Sequence, residues 1–133
     1  GHTFGHALEA ATNYQAYYHG EAVLAGMAMA AKLAARQKIC PVQEAERIIS
    51  LLKKIGLPPL AQNLQEQLFW SAFARDKKRE GSRIVLVLPY RIGRVGIFLD
   101  LPFEPIKESL AWYGSSFTRE EDRQPVDKKD KLL

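Results

Sequence analysis

Along most of the chain, apolar positions recur with the period of amphipathic helices, broken once by a stretch with the alternation of strands. Residues 2–12 read as a short helix with His2, His6 and Glu9 on one side, followed by a polar, aromatic loop at 13–18 whose Tyr14, Tyr17 and Tyr18 are expected to pack. Residues 20–38 read as a long Ala-rich helix with Val23, Leu24, Met27, Ala30, Ala31 and Ala34 as its core stripe, and Gly26 suggests close helix-to-helix contact. Pro41 starts a third helix over 42–55, with Ala45, Ile48, Ile49, Leu52 and Ile55 inward and Lys53 and Lys54 in its last turn; Gly56, Pro58 and Pro59 stop it. A fourth, over 60–75, turns Leu60, Leu64, Leu68, Phe69 and Ala72 inward and delivers Arg75, Asp76, Lys77 and Lys78 at its C-terminal end.

The β-branched runs 83–88 and 95–99 flank Pro89-Tyr90-Arg91-Ile92-Gly93 and predict a small hairpin. After Pro102, residues 104–113 predict a final helix with Pro105 in its first turn and Ile106, Leu110 and Trp112 or Tyr113 docking. The fold class expected is mainly α with one β-hairpin, in a single domain over 1–117. From Thr118 onward acidic and basic residues balance and little can be buried, so 118–133 is expected to be a disordered tail.

Composition changes this picture little. With 47% hydrophobic and 26% charged residues, a chain of 133 has the balance of one globular domain. The net charge of +4 is spread rather than gathered into a stripe, which argues against nucleic acid and for a small anionic substrate near a local Lys/Arg cluster. One cysteine, Cys40, excludes an internal disulfide and reads as a half-buried structural thiol. No apolar run is long enough to span a membrane, and cytoplasmic is the default location.

The candidate chemistry lies at the start of the chain. All three histidines, His2, His6 and His19, fall in the first twenty-one residues, with Glu9 and Glu21 beside them. His2 and His6 are one helical turn apart, and imidazole serves both as a transition-metal ligand and as a proton carrier near neutral pH. A metal or acid/base site follows, with Gly1, Gly5 and Ala7 allowing close approach. Glu9 and Glu21 are expected to orient the histidines or cap helices rather than serve as ligands.

The segment GHTFGHALEA, then a short loop and HGEAVLAGMAMAA, resembles the opening of the C-terminal domain of the 3-dehydroquinate synthases, which belong to the sugar-phosphate cyclase superfamily. Asp76-Lys77-Lys78 followed by IVLVLPYRIG resembles that family's later signature, and the three motifs stand in the family's order over residues 1–100. The resemblance implies the helical C-terminal domain of a dehydroquinate-synthase-like fold. It also implies a zinc, or another divalent metal such as cobalt, held through His2 and His19, with His6 moving protons beside the substrate. A lysine of the DKK run, Lys77 or Lys78 with Lys78 favoured, would meet the substrate phosphate. The implied reaction converts 3-deoxy-D-arabino-heptulosonate 7-phosphate to 3-dehydroquinate and phosphate with NAD, a carbon–oxygen lyase step of the shikimate pathway to chorismate and the aromatic amino acids.

The family's third zinc ligand and its NAD-binding half have no counterpart in this sequence, which does not begin with Met and reads as a cut inside a longer polypeptide. The chain alone is expected to be inactive, and its parent is expected to be a homodimer. Two alternatives remain open: another NAD-dependent sugar-phosphate cyclase, such as a 2-deoxy-scyllo-inosose synthase, and a non-catalytic helical binding domain.

Overall fold

The structure, a computed structural model, describes residues 2–79 and 85–117, with side chains described through Arg75 in the first of these segments. The expected tail at 118–133 and the first two residues of the expected first strand lie outside the described residues. Within them the chain forms α1 (His2–Ala11), α2 (His19–Arg36), α3 (Val42–Ile55), α4 (Glu66–Arg79), β1 (Val85–Arg91), β2 (Arg94–Leu99) and α5 (Phe103–Ser116). The mainly helical class with one antiparallel hairpin is therefore as the pattern predicts.

The centre of the molecule is α2, which packs on α1, α3, α5 and β1, while α4 covers the far side of α1. An element surrounded on so many sides cannot keep a narrow apolar stripe. Ala22, Ala25, Gly26, Ala28, Met29, Ala30, Ala31, Leu33 and Ala34 are all buried, and small side chains allow this many neighbours to approach one helix. The expected stripe was too narrow and misplaced at one point: Met27 is 41% exposed, whereas Met29 and Leu33 are fully buried. In α3, Ala45, Ile49 and Leu52 are buried, but Ile55 is 61% exposed because it is the last residue before Gly56, whose φ of +123° turns the chain away.

The fourth helix starts six residues later than the apolar spacing suggests. The backbone of 60–65 bonds elsewhere: the Leu60 N–H donates to the Phe117 carbonyl (2.6 Å), the Ala61 N–H to the Tyr17 hydroxyl (2.7 Å) and the Gln65 N–H to the Ala11 carbonyl (3.0 Å). Distant partners thus take donors that a helix start would leave open. Leu60 and Leu64 still pack against the core from this loop, and Phe69, Ala72 and Phe73 are the buried face of α4. At its other end α4 continues to Arg79, so Arg75–Lys78 lie inside the helix and not beyond it.

The hairpin pairs Val85 with Leu99 through Arg91 with Arg94, with an irregularity between Pro89 and Arg91 where proline has no N–H to give. Gly93 turns the chain at φ +88°, and Glu44 of α3 accepts the Ile92 N–H (3.2 Å), tying the turn to the helical body. Leu86 and Leu88 face inward. At the other end of the core, Tyr113 of α5 is fully buried and its hydroxyl donates to the Pro58 carbonyl, while Tyr17 bridges to the Pro59 carbonyl (3.1 Å). Ile106 and Leu110 dock as expected, with Tyr113 deeper than Trp112. Cys40 is more deeply buried than its sequence position suggested, and burial, then the Glu44 carboxylate, push its thiol pKa up.

The exposure contrast in α2 predicts that Leu33→Ala lowers unfolding stability by about 2–5 kcal/mol in urea titration, whereas Met27→Ala changes it by no more than about 1 kcal/mol. Burial first, and then the charges of Tyr17 and Glu21, raise the Tyr113 pKa above that of an ordinary phenol. The folded state therefore keeps this proton where the unfolded chain loses it. Its contribution is complete below about pH 10 and is lost as pH rises through the higher folded value. Tyr113→Phe should cost about 1–3 kcal/mol at neutral pH by orphaning the buried Pro58 carbonyl, and should flatten the alkaline fall in stability measured by denaturation at pH 8–11.

Candidate functional site

Three imidazoles meet at one end of the α1–α2 pair. His2 and His6 stand one turn apart on α1, and His19 is the first residue of α2. What brings the helices this close is Gly5, between the two histidines: a Cβ there would lie 3.1 Å from the Ala22 carbonyl oxygen and 3.2 Å from its carbon. Fully buried Ala7, Ala11, Ala22 and Ala25 line the same pair of helices. The loop between them leaves α1 through Asn13 and Tyr14 in the left-handed region, at φ 54° and 59°. There the Tyr14 N–H donates to the Glu9 carbonyl at 2.7 Å.

The ring centroids are 5.5 Å apart for His2–His6, 5.8 Å for His2–His19 and 6.1 Å for His6–His19. All three side chains are exposed to solvent. Two imidazoles on one tetrahedral metal ion, with metal–nitrogen bonds of about 2.0–2.1 Å, hold their centroids about 5 Å apart. The histidine spacing therefore fits a shared ion after small side-chain rotations. Among the described residues no group of three or more His, Cys, Asp or Glu side chains is already placed to hold a metal ion. The rings supply part of a coordination shell, near to closing but not converged.

Both acidic neighbours do what their positions suggest. Glu9, whose side chain is 13% exposed, places Oε1 3.3 Å from Nδ1 of His19, across the gap between α1 and α2. Glu21 takes the other role, with Oε1 accepting the Tyr18 N–H at 2.9 Å at the start of α2. The loop tyrosines divide. Tyr17 packs and hydrogen-bonds as expected, but Tyr14 and Tyr18 are 68% and 83% exposed instead of packing. The sequence signal for this is Asn13, a residue that tolerates left-handed backbone and turns the following aromatics outward.

The backbone places Lys77 and Lys78 in the last turns of α4, which packs against α1; their side chains lie outside the described residues. The structure thus brings His2, His6, His19 and Glu9 together and leaves the contacts of the two lysines open.

A family profile described as "3-dehydroquinate synthase C-terminal" matches residues 1–79. A 3-dehydroquinate synthase of Acidithiobacillus ferrooxidans is 44% identical over 110 residues, covering 83% of this chain and 30% of that protein. One of Vibrio atlanticus is 42% identical over 111 residues, 83% of this chain and 31% of the relative. The chain spans about a third of the length of these relatives. Among solved structures, 2-epi-5-epi-valiolone synthase of Streptomyces hygroscopicus, with NAD+ and Zn2+ bound, superposes with a TM-score of 0.75 at 25% identity over 86% of this chain and 32% of its own. A 2-deoxy-scyllo-inosose synthase complexed with carbaglucose-6-phosphate, NAD+ and Co2+ gives 0.68 at 28% identity, covering 80% and 32%.

The Gly5 contact makes a direct prediction. Gly5→Val should push α1 away from α2, cost about 1–3 kcal/mol of stability and alter the imidazole resonances of all three histidines in NMR spectra. Unchanged resonances would show that the two helices do not set the cluster.

Proposed function

Because the chain belongs to the 3-dehydroquinate synthase C-terminal family, we propose that it is the metal- and substrate-facing part of an enzyme that converts 3-deoxy-D-arabino-heptulosonate 7-phosphate to 3-dehydroquinate and phosphate. The observation that carries this reading is that His2, His6 and His19, from two helices, lie side by side on one exposed face with ring centroids 5.5–6.1 Å apart. The identity of 44% to a named 3-dehydroquinate synthase, against 25–28% to the cyclases of other substrates, favours this substrate over theirs.

His2 and His19 would hold the metal through ring nitrogens, with the remaining protein donor and the NAD-binding half supplied by the part of the relatives that this chain does not span. When bound, a divalent metal supplies Lewis acidity to a substrate hydroxyl and NAD supplies a hydride acceptor. The chain's own residues do the rest. His6, a helical turn from His2 and exposed, is placed to carry a proton to or from the substrate at a ring nitrogen. A cation of the Asp76-Lys77-Lys78 run, Lys78 before Lys77, pairs with the phosphate and offsets the charge that grows on it as it leaves. Residues 1–117 form the domain that does this. The parent is read as a soluble homodimer in aromatic amino acid biosynthesis. No described helix is long and apolar enough to cross a membrane.

The test is phosphate release from the heptulosonate phosphate with NAD and Zn2+ or Co2+. Residues 1–133 alone should give no turnover. Joined to a nucleotide-binding half, the protein should be active. His2→Ala or His19→Ala should then remove activity together with bound metal, and His6→Ala should slow turnover by about 10²–10⁴-fold with metal retained. Lys78→Ala should raise KM and also lower kcat. Turnover by the isolated chain, or an active His2→Ala/His19→Ala protein, would overturn the reading. So would activity only with a different sugar phosphate.

A further inference from the structure

The contact between Glu9 and His19 does more than fill space. It joins the last turn of α1 to the first residue of α2, between a carboxylate that is mostly shielded and an imidazole that is mostly open, side chains 13% and 58% exposed. Glu21, the other acidic residue nearby, accepts from the Tyr18 N–H. A carboxylate oxygen can only accept, so Nδ1 of His19 must carry the hydrogen in this contact. At 3.3 Å it lies at the long end of the N–H···O range.

Resting on the metal reading above, we infer that Glu9 is the positioning residue of the site: it fixes His19 in the Nδ1–H tautomer and reserves Nε2, on the opposite side of the ring, as the ligand atom. A neutral imidazole has one lone pair to offer, and free in water it favours hydrogen on Nε2, the form in which that atom cannot bind a metal. Glu9 reverses this preference and limits the swing of the ring. Glu9 never touches substrate in this arrangement and acts through His19 alone. His19 is the first residue of α2, where no preceding helical turn restrains its side chain.

The inference is tested on two readouts, the first requiring no metal. Long-range 15N–1H correlation spectra of the metal-free chain at pH 8 should show His19 mainly as the Nδ1–H tautomer. Glu9→Ala should convert it to mainly Nε2–H, and Glu9→Gln, whose amide oxygen can still accept, should largely retain the original form. A wild-type His19 that is mainly Nε2–H, or a tautomer unmoved by Glu9→Ala, overturns the inference. The second readout is Co2+ affinity, followed by its visible absorption and by competition with a chelator. It is measured in the polypeptide that joins this chain to its nucleotide-binding half. Glu9→Ala should weaken binding by about 10–100-fold, and Glu9→Gln by less, with the metal-free melting temperature nearly unchanged. His2→Ala and His19→Ala serve as controls. If they leave Co2+ affinity intact, the metal reading itself fails. If they abolish it while Glu9→Ala does not weaken it, only the role of Glu9 fails.

Discussion

Everything at the histidine face depends on how closely α1 and α2 approach at Gly5. A single methyl group would be tight there: the next helix's backbone lies 3.1–3.4 Å from where a Cβ would sit, so the helices would have to part slightly to admit it. Because the obstacle is backbone, not the flexible end of a side chain, it does not yield by a rotamer change. The contact fixes the separation of two rigid rods, and the rods carry His2 and His6 on one side and His19 on the other. Placing a site on helices in this way gives tighter positioning than building it on a loop.

The same economy of small side chains recurs through α2. Alanine buries little area per residue, yet a helix walled with alanine can touch α1, α3, α5 and β1 at once. The larger payload comes from the elements around it: Phe4, Leu8, Phe69, Phe73, Leu88, Ile106 and Tyr113 all reach the core. Their packing, together with the hydroxyls of Tyr17 and Tyr113 bonded to the 58–61 segment, holds the histidine-bearing pair from the side away from solvent. Polar tips on mostly buried rings close off backbone groups that a purely aliphatic core would strand.

Much of this was legible in the sequence, for reasons that differ along the chain. Strong breakers made the limits of α3 readable: Pro41 ahead of it and Gly56-Leu57-Pro58-Pro59 behind. The start of α4 was not, since Leu60 and Leu64 have helical spacing but the N–H groups of Leu60 and Ala61 are claimed by Phe117 and Tyr17, far away in sequence. No local pattern carries that information. Met27 and Met29 illustrate a second limit: periodicity assumes one buried face, and α2 has several. At the site, the i, i+4 spacing of His2 and His6 announced their shared face, and the third histidine was recognisable as part of the group from its place within the first twenty-one residues, a grouping the resemblance supported. That Glu9 meets His19 while Glu21 turns to the Tyr18 N–H is a choice between two plausible carboxylates, and it is decided by the crossing of the helices.

The segment between α1 and α2 has a different bearing when seen over evolutionary time. His2, His6 and His19 are held by helices whose separation is set at Gly5 and Ala22, so the intervening residues from Asn13 to Tyr18 do not themselves measure out the distance between the histidines. The Tyr17 side chain is anchored through Pro59 and Ala61; the side chains of Tyr14 and Tyr18 stand exposed. Substitutions at these exposed side chains can therefore change the loop surface without moving the backbone contact at Gly5. The domain can in this way vary the exposed side chains of one loop while the spacing of α1 and α2 stays as it is.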